Sequence, residues 1–228
     1  MSDGRVFLVT GAAGGLARGV MPAFRAAGAR LALADVPGAT LEPGPGDTVH
    51  HADLSDFAAA EALVAEVRAA HGRIDGLVHL VGGFTWGPAA AITPADYDRM
   101  IGLNLRTLVA AVRAVLPGLH DQGTGFVAGV ASGQAWRGGA AGVALYAASK
   151  AAVAAFLRSV DAELDGTDVA VCALFPMGVI DTAANRAAMP DADPAEWIDP
   201  AGLGEALVFA ASRGRRARLL ELPVHGGR

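Results

Sequence analysis

Cysteine, basic charge and aromatic rings are scarce in this sequence, and each shortage removes a class of protein. The single cysteine, Cys172, cannot close an internal disulfide or supply a multi-cysteine zinc or iron–sulfur site. Lysine and arginine number 18 against 23 acidic residues, a formal net charge of -5, so the basic footprint of a nucleic-acid binder is missing. No run of about 18 uninterrupted apolar residues occurs, so no membrane-spanning helix is expected. The six histidines have no H-E-x-x-H or similar ligand spacing, so no metal site is expected. Charged residues are 18% and hydrophobic residues 53%, a balance that excludes a disordered chain. At 228 residues these exclusions leave one globular domain, 1–228, expected in the cytoplasm and long enough to bury a substantial core.

Short apolar runs alternate with longer helical patterns. The runs at 5–9, 30–34, 48–51, 76–81, 125–131, 169–175 and 218–222 are near-continuously apolar, as strands buried on both faces should be. Helical patterns occupy 15–28, 56–71, 95–118, 144–165 and 201–212. Asp56 and Pro94 read as helix starts, and Gly28, Gly72 and Gly118 as stops. This alternation predicts a parallel sheet covered by helices on both faces. Two stretches break the rhythm. Three of the 12 prolines fall within 37–47, which predicts a surface excursion where a helix would otherwise stand. The stretch 183–200, with Met189, Trp197 and three prolines, reads as a substrate flap.

Two features point to a dinucleotide. Thr10-Gly11-Ala12-Ala13-Gly14-Gly15-Leu16-Ala17 follows the first strand and opens the first helix. Glycines there let the backbone turn tightly and approach a pyrophosphate drawn to the helix N-terminus. Asp35 closes the second strand, 20 residues after Gly15. A carboxylate there can accept from the adenosine ribose hydroxyls and repel the extra phosphate of NADP, so NAD(H) is expected over NADP(H). The spacing T-G-x-x-x-G-x-G, with Ala17 in place of the last glycine, resembles the short-chain dehydrogenase/reductase family.

A second constellation carries the same resemblance. Tyr146 and Lys150 are i and i+4 and share one helical face, where a cation can stabilise a phenolate. Ser132 stands 14 residues before Tyr146, just past an apolar run, and Asn104 lies in the helical segment 95–118. Together they match the family's catalytic tetrad. The resemblance implies a single-domain, Rossmann-like α/β fold, a doubly wound parallel sheet of about seven strands. It implies that Tyr146 is the general acid/base of hydride transfer between an alcohol and a carbonyl. Ser132 would orient the carbonyl, Lys150 would bind the nicotinamide ribose, and Asn104 would support a proton-relay water. Cofactor contacts would come from Gly11, Ala13, Gly14, Gly15, Leu16, Asp35, Asp53, Leu54, Val81, Gly82 and Gly83. Tyr146, Lys150, Pro176, Val179 and Thr182 would complete them. The family's Asn-Asn-Ala-Gly is replaced by His79-Leu80-Val81-Gly82, and its Pro-Gly by Pro176-Met177. His79 reads as a satisfied buried histidine rather than a catalytic one.

The flap pattern D-T-x-x-N-R-x-x-M-P-x-A-D-x-x-x-W, from Asp181 to Trp197, is similar to the corresponding segment of dihydropteridine reductases. Those enzymes lack the serine that stands here as Ser132, so a ketone is expected before a quinonoid ring. All three tryptophans fall in the loops that would face substrate: Trp86, Trp136 and Trp197. With Phe84, Gln134, Met177 and Met189 they predict a flat or hydrophobic, small-molecule carbonyl/alcohol substrate. The small-sided helix 144–165 suits a homodimer or homotetramer. Three readings remain beside the oxidoreductase acting on a ketone: reduction of a quinonoid ring, a dinucleotide-binding sensor without turnover, and a non-redox use of the fold such as a dehydratase or cyclase.

Overall fold

The structure is a computed structural model that describes residues 4–227. Its centre is one seven-stranded parallel sheet. The strands are β1 (Val6–Thr10), β2 (Arg30–Asp35), β3 (Thr48–His51), β4 (Gly76–His79), β5 (Thr124–Val130), β6 (Asp168–Pro176) and β7 (Glu221–Val224). They lie in the order β3-β2-β1-β4-β5-β6-β7. This is the doubly wound arrangement, with the strand order reversing between β1 and β4. Residues past the carboxyl ends of those two strands flank the crevice that such a reversal opens.

Helices α1 (Ala17–Ala26) and α8 (Pro200–Ala211) cover one face. They bury Phe24, Leu203 and Leu207 against Phe7, Val9 and Leu31. Helices α2 (Phe57–His71), α4 (Thr107–Gln122) and α6 (Ala144–Glu163) cover the other, packing Leu63, Leu108 and Leu157 on Val6, Leu8, Leu77 and Val127. Successive strand residues point to opposite faces, so covering both faces requires the near-continuous apolar runs seen in β1 and β6. Truncating one of the rings that meet edge-on here, such as Phe7 against Phe24 at 4.9 Å, would cost about 3–5 kcal/mol.

Local signals set most boundaries. The Asp56 carboxylate accepts the Ala58 N–H and starts α2, and Gly72 ends it in the left-handed region at φ 79°. Thr93 and Asp96 cap each other's backbone, with Pro94 at the first turn of α3 (Pro94–Ile101). Gly118 is not a stop. It lies inside α4, where a side chain would strike the Arg68 guanidinium, and the helix ends at Gly123, φ 66°. Between α3 and α4 a five-residue π-turn, Gly102–Arg106, interrupts the α-helical register. The continuous stretch Pro94–Gln122 is long and apolar enough by composition to cross a membrane, although no single run in it is uninterrupted. Its Leu108, Val112, Val115 and Leu119 are buried in the core, which accounts for the composition.

The 37–47 excursion carries no helix or strand. The Asp47 carboxylate pins it, pairing with Arg25 at 2.7 Å and accepting the Gly44 and Leu31 N–H groups. Strand β7 starts three residues later than the apolar pattern suggests. Arg218 pairs instead with Asp161 on α6 at 2.8 Å, and a short turn at 215–217 precedes it.

Candidate active site

A cleft of about 580 Å³ opens at the β1–β4 reversal. The loop after β1 forms its floor. Gly11 takes φ +74°, and a Cβ there would lie 2.7 Å from the Val81 nitrogen. A Cβ on Gly15 would lie 2.9 Å from Cβ and Cγ2 of Thr182. Only glycine allows these approaches. Gly11, Ala13, Gly14, Asp35, Asp53, Leu54, Val81 and Gly82 all line the cleft. Leu16 packs instead into the apolar layer beneath α1. Asp35 does more than face the cleft. Its two carboxylate oxygens accept the Ala13 N–H at 2.9 Å and the Val36 N–H at 2.8 Å, bracing the glycine loop against β2. Asp53 accepts the Ser55 N–H, which holds its carboxyl below the usual range. A backbone-lined cradle at a helix N-terminus fits a nicotinamide dinucleotide.

The catalytic candidates converge beside this cleft. Ser132 caps the one-turn helix α5 (Gly133–Trp136), its Oγ accepting the Gln134 N–H, and its hydroxyl stands near enough to the Tyr146 phenol to influence its pKa. Burial pushes the phenol above its ordinary value, and the nearby Ser132 hydroxyl opposes that shift. Lys150 is buried, its Nζ donates to the Val130 carbonyl at 2.8 Å, and burial pushes it down to about 8. The expected depression of the tyrosine by its i+4 cation is therefore reversed: desolvation dominates, and the ammonium is turned to a carbonyl.

Asn104 sits in the π-turn and acts as a clamp. Its Oδ1 accepts the Gly83 N–H at 2.8 Å, while Nδ2 donates to the Gly83 carbonyl at 3.1 Å and to Ser149 Oγ at 2.9 Å. Both amide protons are thereby taken. Ser149 Oγ in turn donates to the Tyr146 carbonyl at 2.7 Å. Ser149 was not singled out in the sequence, although a small polar residue between Tyr146 and Lys150 is the kind of signal that could have marked it. His79 is buried at the end of β4, with both ring nitrogens bonded, and is pushed down to about 3 by burial and by Lys150.

The substrate candidates divide. The Phe84 ring meets the Tyr146 ring edge-on at 4.9 Å and is 57% exposed. Trp86 is 72% exposed, and its indole lies against Gly142 in the loop before α6. Met177, directly after Pro176, abuts Gly133, the neighbour of both Ser132 and Gln134. Trp136 is half-buried and packs edge-on against Phe175 at 4.7 Å. Thr182 caps α7 (Ala183–Ala188), and the Val179 carbonyl accepts the Ile198 N–H. Met189 and Trp197 lie farther along that segment. Among the described residues no hydrogen bond or ring contact joins either of them to Ser132 or Tyr146.

Comparison with known proteins places these features in one family. The model of the family described as short chain dehydrogenase matches residues 5–193. A sorbitol dehydrogenase of Cereibacter sphaeroides is 33% identical over 184 residues, covering 78% of this chain and 72% of that protein. A levodione reductase of Leifsonia aquatica is 33% identical over 204 residues, covering 83% and 74%. Among solved structures, a 3-ketoacyl-(acyl-carrier-protein) reductase from Brucella melitensis complexed with NADH superposes with a TM-score of 0.84. That match has 26% identity over 99% of this chain and 98% of the other. With its parallel sheet, its dinucleotide cleft and these relatives, the chain belongs to the short chain dehydrogenases, oxidoreductases that use a nicotinamide dinucleotide.

Proposed function

We propose that this protein interconverts a ketone and an alcohol on a small, flat or hydrophobic molecule, with NAD(H) as cofactor. One observation carries the reading. The Tyr146 phenol, with the Ser132 hydroxyl near it, stands beside the nucleotide cleft with the Phe84 ring against it. A nicotinamide dinucleotide, when bound, supplies or accepts the hydride. Tyr146 gives its proton to the carbonyl oxygen in reduction and removes it from the hydroxyl in oxidation. Its raised pKa keeps it protonated near neutrality, the state that reduction needs. Ser132 Oγ donates to the same carbonyl oxygen and fixes its position. Lys150 supplies a cation beside the nicotinamide ribose, and Asn104 holds the Gly83 backbone that borders the cleft. Asp35 at the ribose end favours NAD(H), because a carboxylate repels a 2′-phosphate.

The test is oxidation of NADH and of NADPH, followed by absorbance, over ketones, quinones and a quinonoid dihydropterin. Turnover of a ketone with NADH is expected. Turnover of the pterin alone would move the assignment to a quinonoid ring. Tight NADH binding without turnover of any compound would make the protein a sensor. A homodimer or homotetramer is part of the same proposal. An apolar groove of about 430 Å³ between α4 and α6, lined by Val112, Leu116, Phe156 and Val160, suits a second copy. Light scattering that finds only monomer at micromolar concentration would overturn it.

A further inference from the structure

The residue that departs most from the family pattern sits at the junction of the two halves of the site. Thr10 and His79 are register partners at the ends of β1 and β4. Their side chains meet, Thr10 Oγ1 to His79 Nδ1, at 2.8 Å. The other ring nitrogen, Nε2, reaches Thr107 Oγ1 at 3.2 Å on the first residue of α4. Thr107 Oγ1 already donates its only proton to the Leu103 carbonyl at 2.7 Å. It can therefore only accept from Nε2, so Nε2 carries the imidazole proton. Nδ1 is then a bare acceptor and takes the Thr10 hydroxyl proton. Every donor and acceptor in the row is matched by one tautomer.

We propose that His79 is a positioning residue: as the neutral Nε2–H imidazole it ties the end of β1, where the cofactor loop begins, to the π-turn that carries Asn104. The row runs from Thr10, next to Gly11, through His79 and Thr107 to the Leu103 carbonyl inside the turn. From the adjacent Asn104 it continues to both polar groups of the Gly83 peptide, and through Ser149 to the Tyr146 carbonyl. A π-turn gives up the regular α-helical hydrogen bonds, so a side-chain tether is a physical means of holding its shape. The ring is fully buried and stands near the Lys150 cation, and both keep it uncharged. An imidazole spans both threonines because its two nitrogens sit on opposite sides of the ring. An asparagine has its polar atoms only at the two δ positions, short of Nε2, and can reach Thr10 alone. A glutamine can place its amide nitrogen where Nε2 stands and reach Thr107.

The test needs no substrate, so it stands apart from the ketone reading. Nitrogen-15 spectra of the intact protein should show a pyrrole-like Nε2 and a pyridine-like Nδ1 on His79, unchanged between about pH 5 and pH 8. NADH affinity, read by quenching of tryptophan fluorescence, should fall about tenfold in His79→Phe and in His79→Asn. The Asn104 side-chain amide resonances should move in both. His79→Gln should restore the affinity to within about threefold of the parent and return those resonances. Thr107→Val, which keeps shape but removes the acceptor, should reproduce the His79→Phe changes if that larger substitution prevents folding. A proton found on Nδ1 overturns the proposal. So does asparagine performing as well as glutamine, or variants that lower Tm while NADH affinity and the Asn104 signals stay put.

Discussion

The cofactor side and the substrate side of the cleft are built from different materials. On the cofactor side the backbone does the recognising. Gly11 and Gly15 admit close approach, and Asp35, Asn104 and His79 brace that backbone through hydrogen bonds. On the proposed substrate side exposed rings are available for it: Phe84 is 57% and Trp86 72% exposed. A backbone cradle admits little change, since altering one residue shifts its neighbours. Exposed rings can be exchanged one at a time. The fold thus keeps one half of the reaction constant and leaves the other open to variation, as expected where loops on a rigid scaffold carry specificity.

The sharpest way to test that division is at the shared atom. Tyr146→Phe should lower turnover by about 10² to 10⁴-fold, with NADH affinity little changed. Turnover within about tenfold of the parent would remove the acid role. Next in size is Gly11→Ala. A side chain at φ +74° costs about 1–2 kcal/mol before the contact with Val81 is counted, so both Tm and NADH affinity should fall. An equal loss of NADH affinity in Trp86→Ala would erase the difference between the two sides.

The pH dependence should come after these. Lys150 holds its charge below about 8 and loses it above. Tyr146, raised by burial, is protonated through the same range. Reduction rates should therefore decline as pH rises through about 8, while alcohol oxidation gains with pH as the phenol loses its proton. A reduction rate flat from pH 6 to about pH 10 would show that neither group reports on the step. Asp35→Ala should narrow the NADH over NADPH preference by about tenfold, and part of any loss should be in stability, because the Ala13 brace goes with it. The smallest effect is expected from Trp86→Ala: a rise of about threefold to tenfold in KM for the true substrate, with kcat nearly kept.

Much of this was legible from the chain. The seven strands, the glycine loop and the i, i+4 pair of Tyr146 and Lys150 are patterns of neighbouring residues. Backbone geometry alone turns such patterns into strands, turns and shared helix faces. Where reading failed, a distant element was responsible. Gly118 looked like a helix stop, yet it is a point of contact with Arg68 on α2. The edge-on contact of Trp136 with Phe175 on β6 was likewise not legible. The clamp that Asn104 makes on Gly83 and Ser149 was also beyond the sequence.

The sequence by itself determined the parallel sheet and the glycine loop, which rest on local patterns, while the candidate residues for hydride chemistry came from its resemblance to the family. Only the tertiary structure decided how those residues are charged and held. The reversal of strand order sets β1 beside β4, and so Thr10 beside His79 across 69 residues of chain. Burial then dominates the shifts of both groups, raising Tyr146 and lowering Lys150 to about 8. Desolvation depends on everything packed around a group, and that packing exists only once the sheet has closed over its helices.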